Sequence, residues 1–233
     1  MYRQFSNTGY RSEVGALGSG SATVAQSGQL VALVALEHIG TRLGFSRNQE
    51  VYAEGDSADC WYKVISGTVR ICKLLADGRR YISEFCFSGD GFGLDSTRER
   101  SFSAEAVGDV IVMRFPRRAT EQLIDHNPAL ARMLHETTLR DLANAHGRML
   151  LLGRMTAAER VATFLLDMLD RREGTTNLDL PMSRNDIADY LGLTIETVCR
   201  TLSTFKREGL IAIPNAHRIG LLDRDALEAA AQA

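Results

Sequence analysis

The sequence holds no long hydrophobic run, no paired cysteines and no surplus of positive charge, and each absence removes a class of protein. Its most apolar stretch, Leu-Val-Ala-Leu-Val-Ala-Leu at 30–36, is far too short to cross a bilayer. No N-terminal stretch carries the charged, apolar and small-residue order of a secretory leader. The four cysteines, Cys60, Cys72, Cys86 and Cys199, are scattered without a Cys-x-x-Cys spacing. In a chain without a leader they are expected to be reduced, and most of them to be packing residues. These features predict a cytoplasmic protein with no membrane partner. Catalytic signatures are missing as well. The run His-Glu-Thr-Thr-Leu at 135–139 imitates a zinc-binding HExxH but ends on Leu139, where the second zinc ligand belongs. There is no GxSxG, P-loop or dinucleotide fingerprint, and the five histidines (His38, His126, His135, His146, His217) form no constellation. The expectation is no enzyme and no metal site.

What is present is a globular composition, with 233 residues of which 45% are hydrophobic and 24% charged. That is enough chain for one large domain or two modest ones. Residues 1–28, rich in Gly, Ser, Thr and Gln without an apolar period, are expected to be a flexible extension. The stretch 28–45 has the apolar density of a short core helix ending near Gly44. From about 48 to 115 short β-prone runs alternate with Gly-containing breaks, and Asp77-Gly78 between two of them signals a hairpin. Many short strands at close spacing predict a compact roll or barrel.

After Pro116 the pattern turns helical. Asn127-Pro128 suits a helix start, with Asn as cap and Pro in the first turn. The helix that follows carries an apolar stripe of Leu134, Thr138, Leu142, Ala145, Met149 and Leu152, in steps of three or four. Such a stripe suits pairing with a second helix, as in a homodimer, or packing on the β-roll. Thr156-x-x-Glu159 is a capping box, and it opens a helix whose apolar face is Val161, Phe164, Leu165, Met168 and Leu169. The predicted organisation is thus an extension at 1–28, a β-roll domain at 29–126, a dimerisation helix at 127–153 and a second domain at 154–233.

The most informative stretch is 183–211, two short helices about a Gly. Ser183-x-x-Asp186 reads as a capping box, Ile187, Ala188 and Leu191 as an inner face, and Gly192 as the stop. Thr194 caps the second helix, whose buried face is Val198, Leu202 and Phe205. Ile195, Glu196, Cys199, Arg200 and Ser203 are left facing outward, the position from which a recognition helix reaches base edges in the major groove. Residues 154–233 hold 10 Lys+Arg against 12 Asp+Glu, so DNA binding has to rest on placed contacts rather than on a basic field. The chemistry of the front row fits: an Arg pairs with guanine O6 and N7, and a carboxylate accepts from cytosine N4. Glu196 and Arg200, four apart, share a face and can hold each other's geometry, while Ile195 can meet a thymine methyl. The alternative is a surface ion pair with no partner. The stretch 209–223 reads as two strands joined through Pro214-Asn215, the shape of a wing, and Asp223 caps a last short helix.

The segment 184–211, with its Glu-Thr-Val-x-Arg core, resembles the helix-turn-helix of the Crp/Fnr family of bacterial transcription regulators. The segment 52–71 resembles that family's effector-domain β-roll, and 156–169 its first helix after the hinge. The resemblance covers about residues 30–230 in collinear order. It implies an α+β fold with an N-terminal cyclic-nucleotide-binding-like β-roll, a long dimerisation helix and a C-terminal winged helix-turn-helix domain. It also implies a homodimer on palindromic double-stranded DNA that contacts RNA polymerase. In that frame Ile195, Glu196, Cys199 and Arg200 are the base-reading row. Ser183, Arg184, Thr194, Thr197, Ser203, His217 and Arg218 are candidates for backbone contact.

Within the family, the cyclic-nucleotide branch holds ribose and phosphate with Gly-Glu-Leu followed by Arg-Ser. Here the first part reads Gly93-Leu94-Asp95, so the ribose-binding Glu is missing, while Arg100-Ser101 is kept after a shortened segment. The Fnr branch ligates an iron-sulfur cluster with N-terminal cysteines, and residues 1–59 contain none. A haem sensor would want a His or Cys in the β-domain; Cys60, Cys72 and Cys86 lie there, but no His lies between 39 and 125. What remains resembles the FixK-type branch. That implies a regulator without a cofactor, an activator on a TTGA-type site in low-oxygen or nitrogen-fixation control. The alternative is a small-molecule-gated regulator of the same family. Cys199, one residue before Arg200, is a redox candidate, because its oxidation would put bulk or negative charge against phosphate.

Overall fold

The structure is a computed structural model and describes residues 34–171 and 176–232. The expected flexible extension at 1–28 lies outside the described residues. Two compact units divide the chain between Ala143 and Asn144.

The first unit is built on two four-stranded antiparallel sheets. One runs in the order β1 (Thr41–Phe45), β8 (Val110–Pro116), β3 (Cys60–Ser66), β6 (Gly91–Phe92). The other runs β2 (Glu50–Tyr52), β7 (Ser103–Ala106), β4 (Val69–Leu74), β5 (Arg80–Cys86). Alternating side chains point between the sheets, and Tyr52, Tyr62, Val64, Val69, Ile71, Phe92, Val110 and Val112 form the core there. The hairpin expected at Asp77-Gly78 joins β4 to β5, closed by the Leu75 N–H donating to Arg79 O at 2.8 Å.

The expectation at 28–45 needs correcting. Helix α1 is described at 34–39 and stops there, and residues 41–45 are strand β1, paired with β8 from Thr41↔Arg114 to Phe45↔Val110. The reason is tertiary. At Gly40 a Cβ would lie 2.7 Å from the Cγ and Sδ of Met113, so the chain passes close over the β8 side chains and a larger residue would have to displace Met113. Beyond Gly40 the backbone groups pair with β8 and not with a further helical turn.

Helix α2 (Arg117–His126) follows β8 directly, and α3 (Pro128–Arg154) follows α2, with Asn127 Oδ1 accepting the Leu130 N–H at 3.1 Å. Leu130 is fully buried in a second small core with Leu36, Trp61 and Phe115. The Trp61 and Phe115 rings stack at 4.3 Å, and the indole N–H donates to Thr120 Oγ1 at 2.9 Å. The start of α3 is thereby anchored on the β-roll.

The second unit holds the remaining elements: α4 (Ala157–Asp170), β9 (Asn177–Asp179), α5 (Arg184–Leu191), α6 (Ile195–Arg207), β10 (Ile211–Asn215), β11 (Arg218–Leu221) and α7 (Arg224–Ala230). Both halves of the expected capping box at Thr156 and Glu159 are present. The apolar face of α4 (Val161, Phe164, Leu165, Met168, Leu169) is buried as expected. Each such side chain contributes about 1.5–3 kcal/mol by leaving water. Strands β10, β11 and β9 form a three-stranded antiparallel sheet. The wing turn is not at Pro214-Asn215, which lie inside β10, but at Ala216-His217, with Asn215 paired to Arg218. A bulge between Ala212 and Asn215 absorbs the proline, which has no N–H to give the ladder.

Candidate nucleic-acid interface

The recognition helix α6 is set by local chemistry at both of its neighbours. Ser183 caps α5: its Oγ accepts the Asp186 N–H at 3.1 Å, and the Asp186 carboxylate takes the Ser183 N–H at 3.0 Å in return. Gly192 ends α5 in the left-handed region at φ +62, which an L side chain rarely adopts. Two residues later Thr194 starts α6, its Oγ1 accepting the Thr197 N–H at 3.3 Å. Val198, Leu202 and Phe205 are buried under the helix. That burial fixes the rotation of α6 and leaves Ile195, Glu196, Cys199, Arg200 and Ser203 exposed on one side.

These residues differ in how free they are. Ile195 is 39% exposed, an apolar side chain in water at the helix front. The Glu196 carboxyl is held below the usual carboxylate range by its own backbone N–H and the Thr194 hydroxyl, with Arg200 a weaker contribution. No ion pair closes between Glu196 and Arg200 among the described residues, so the mutual brace expected from their spacing is a field and not a contact. Cys199 is exposed, and Ser203 donates from Oγ back to its carbonyl at 2.8 Å. Arg184 is half-buried beside Cys199, its guanidinium pushed below its ordinary range by burial. In the wing the His217 ring Nδ1 lies 3.1 Å from Leu180 O. Arg218 pairs with Asp179 across the sheet at 2.9 Å, both side chains more than half exposed.

The expected dimer stripe on α3 is divided. Leu134 packs on the small core of the first unit, and Leu152 is half-buried in the second. Between them Thr138, Leu142, Ala145 and Met149 face solvent, Leu142 at 52% and Met149 at 69% exposure. Leu139 and Leu150, which the stripe left out, are exposed as well.

Sequence reasoning missed the wiring of the β-roll's own polar site. Arg100, with a side chain only 1% exposed, is paired to Asp95 at 2.8 Å and donates to Gly93 O at 2.7 Å and to Cys60 O. Its guanidinium lies 4.1 Å from the centre of the Tyr52 ring. Burial pushes the hydroxyls of Tyr52 and Tyr62 up from their ordinary values, so both rings stay neutral beside the cation. The departure at Asp95 and the retention of Arg100 were both legible, but not that the one neutralises the other. No group of His, Cys, Asp and Glu that could hold a metal occurs among the described residues.

A capped recognition helix, a wing and a separate antiparallel β-roll define a DNA-binding protein of the helix-turn-helix class with an effector-type domain. Residues 159–230 match the Crp-like helix-turn-helix domain family, and residues 42–127 the cyclic nucleotide-binding domain family. The chain belongs to the Crp/Fnr family of transcription regulators. The nitrogen fixation regulation protein FixK of Azorhizobium caulinodans is 47% identical over 195 residues, 81% of this chain and 78% of that protein. FixK of Bradyrhizobium diazoefficiens is 42% identical over 217 residues, 91% of each chain. The solved structure of FixK2 from Bradyrhizobium japonicum superposes with a TM-score of 0.80 at 42% identity, covering 84% of this chain and 98% of that one. No helix among the described residues is long and apolar enough to cross a membrane.

Proposed function

We propose that this regulator is a homodimeric transcription activator that reads a palindromic TTGA-type site in double-stranded DNA without a bound cofactor. The observation that carries the reading is the front of α6, where Ile195, Glu196, Cys199 and Arg200 stand exposed together on a capped, internally fixed helix. Arg200 supplies the donors for guanine O6 and N7, Glu196 the acceptor for cytosine N4, and Ile195 the surface for a thymine methyl. To Ser183, Arg184, Thr194, Thr197 and Ser203, and to His217 and Arg218 of the wing, we assign the phosphate contacts. Moving Arg218 from Asp179 to a phosphate is cheap, since an exposed ion pair is worth less than about 1 kcal/mol.

The apolar stripe on α3 supports a homodimer: Leu142 and Met149, in water in a single chain, are covered when two copies pair along Leu134, Thr138, Leu142, Ala145, Met149 and Leu152. The division of labour that follows is a β-roll at 29–126, a dimerisation helix at 127–153 and a DNA-binding domain at 154–233. The closed Arg100–Asp95 pair supports independence from a ligand, because the cation at the heart of the β-roll already has its anion. The relatives named for nitrogen fixation regulation support a role in nitrogen-fixation control. To this we add a low-oxygen setting, action through RNA polymerase and a cytoplasmic location. A second reading, a small-molecule-gated regulator, draws on a cleft of about 190 Å³ lined by Trp61, Leu94, Asp95, Thr120 and Leu134 among others.

Equilibrium binding of the purified protein in air to a TTGA palindrome and to a scrambled site separates the two. Tight specific binding without additives is the expected result. Specific binding that requires cyclic AMP, used as the probe, favours the gated reading. Specific binding that requires an iron-sulfur or haem chromophore overturns cofactor independence.

A further inference from the structure

Arg160, in the first turn of α4, donates from each of its three guanidinium nitrogens to a backbone carbonyl. Its Nε donates to Met155 O at 2.9 Å, Nη2 to Leu152 O at 3.0 Å and Nη1 to Leu191 O at 3.0 Å. Leu152 is in the last turn of α3, Met155 follows that helix directly, and Leu191 is the last residue of α5. The carbonyls at a helix C-terminus lack intrahelical partners and carry the negative end of the helix dipole. One fixed cation therefore satisfies two helix ends at once and ties them together. The second end is the residue before Gly192, the pivot from α5 into the recognition helix. A Cβ at Gly192 would lie 3.5 Å from Arg160 Nη1 and 3.4 Å from Leu152 Cδ2, so the pivot rests against the same junction. A second link joins the same helices: the Arg148 guanidinium of α3 stacks 4.1 Å over the Tyr190 ring of α5, which meets Phe164 of α4 edge-on at 5.6 Å.

We propose that Arg160 is a positioning residue for DNA recognition: it fixes the angle between the C-terminal part of α3, which carries Ala145, Met149 and Leu152 of the stripe, and the helix-turn-helix, and so sets the half-site spacing that the protein accepts. The inference rests on the homodimer reading above. In a two-fold dimer the separation of the two recognition helices must match the helical repeat of DNA, so a change of angle at this junction is doubled at the DNA. Lys is a poor replacement, because a point charge on a flexible stem cannot hold three carbonyls in a planar fork.

The test compares the full-length protein with Arg160→Lys and Arg160→Ala on palindromes whose central spacer is varied by one and two base pairs, each with intact or altered half-sites. The native protein is expected to prefer one spacer by about tenfold or more. Arg160→Lys is expected to keep its discrimination between intact and altered half-sites while its spacer preference falls to within about threefold. A merely structural role would lower affinity for every spacer alike. Should Arg160→Ala fail to fold, Arg160→Lys decides. If Arg160→Lys keeps the native spacer profile, or loses half-site and spacer discrimination together, the positioning role is refuted while the dimer reading stands. If the native protein binds single half-sites as tightly as palindromes, the dimer reading fails and the positioning role falls with it.

Discussion

A carboxylate at Glu196 can accept from cytosine N4 only while it is ionised, and its surroundings keep it so. The helix N-terminus and the Thr194 hydroxyl lower its pKa from the ordinary 4.5. A lowered acid stays charged at every pH above its ordinary value and is lost only as pH falls through the depressed one. The ratio of binding to intact and C·G-altered sites should therefore be flat from about pH 8 down to about pH 5, measured by fluorescence anisotropy at constant salt. A ratio that falls between those limits would mean that another titrating group reads the pair. Glu196→Gln should reduce the same ratio by about tenfold, within the 1–3 kcal/mol of one base contact, while tightening binding to random DNA. The cysteines separate by environment. Cys72 and Cys86 are buried, and burial pushes the Cys72 thiol up to about 12, whereas Cys199 is exposed beside Arg184. Peroxide should abolish DNA binding by the native protein and spare Cys199→Ser in the same gel-shift series; equal sensitivity of the two would remove Cys199 as a redox residue.

Among the elements, α3 carries the strongest conflict between a single chain and its surroundings. In this 27-residue helix Leu139, Leu142, Met149 and Leu150 are each about half exposed or more, an apolar face of the kind that marks an interaction surface. Leu142→Glu with Met149→Glu should give a monomer by sedimentation and lower affinity for a palindrome by about a hundredfold or more, with helical content retained. Persistence of the dimer would place the interface elsewhere. The starts of α4, α5 and α6 and the stop of α5 were readable from sequence because caps are local: Thr156 with Glu159, Ser183 with Asp186, Thr194 with Thr197, and Gly192 act within four residues. The end of α1 was not. Apolar density continues past Ile39, while the chain passes closely over Met113 at Gly40 and pairs with β8 from Thr41 on. The wing turn was misplaced by two residues for a similar reason, since a bulge lets Pro214 sit inside β10.

On the scale of the whole molecule, the β-roll is closed by its own charges. Asp95→Ala would leave Arg100 buried with no anion, at a cost of about 3 kcal/mol in urea unfolding. The double variant Asp95→Ala with Arg100→Met should recover part of that loss, because removing both charges is less costly than leaving one. If Asp95→Ala unfolds like the native protein, the pair does not hold the roll. Two units, two sheets with one core between them, and a helix-turn-helix with a wing follow from periodicity, caps and turn residues, all of which act over a few positions. The sequence by itself determined the family, the order of elements and the outward row on α6, because the burial of Val198, Leu202 and Phe205 leaves that row no other side. Tertiary structure alone decided that Asp95 neutralises Arg100 across a loop, that Arg160 joins the ends of two helices, and that the stripe of α3 is exposed only in its middle. Each of these depends on a contact between segments whose spacing in the chain carries no period, and a one-dimensional pattern cannot encode which charge will meet which carbonyl.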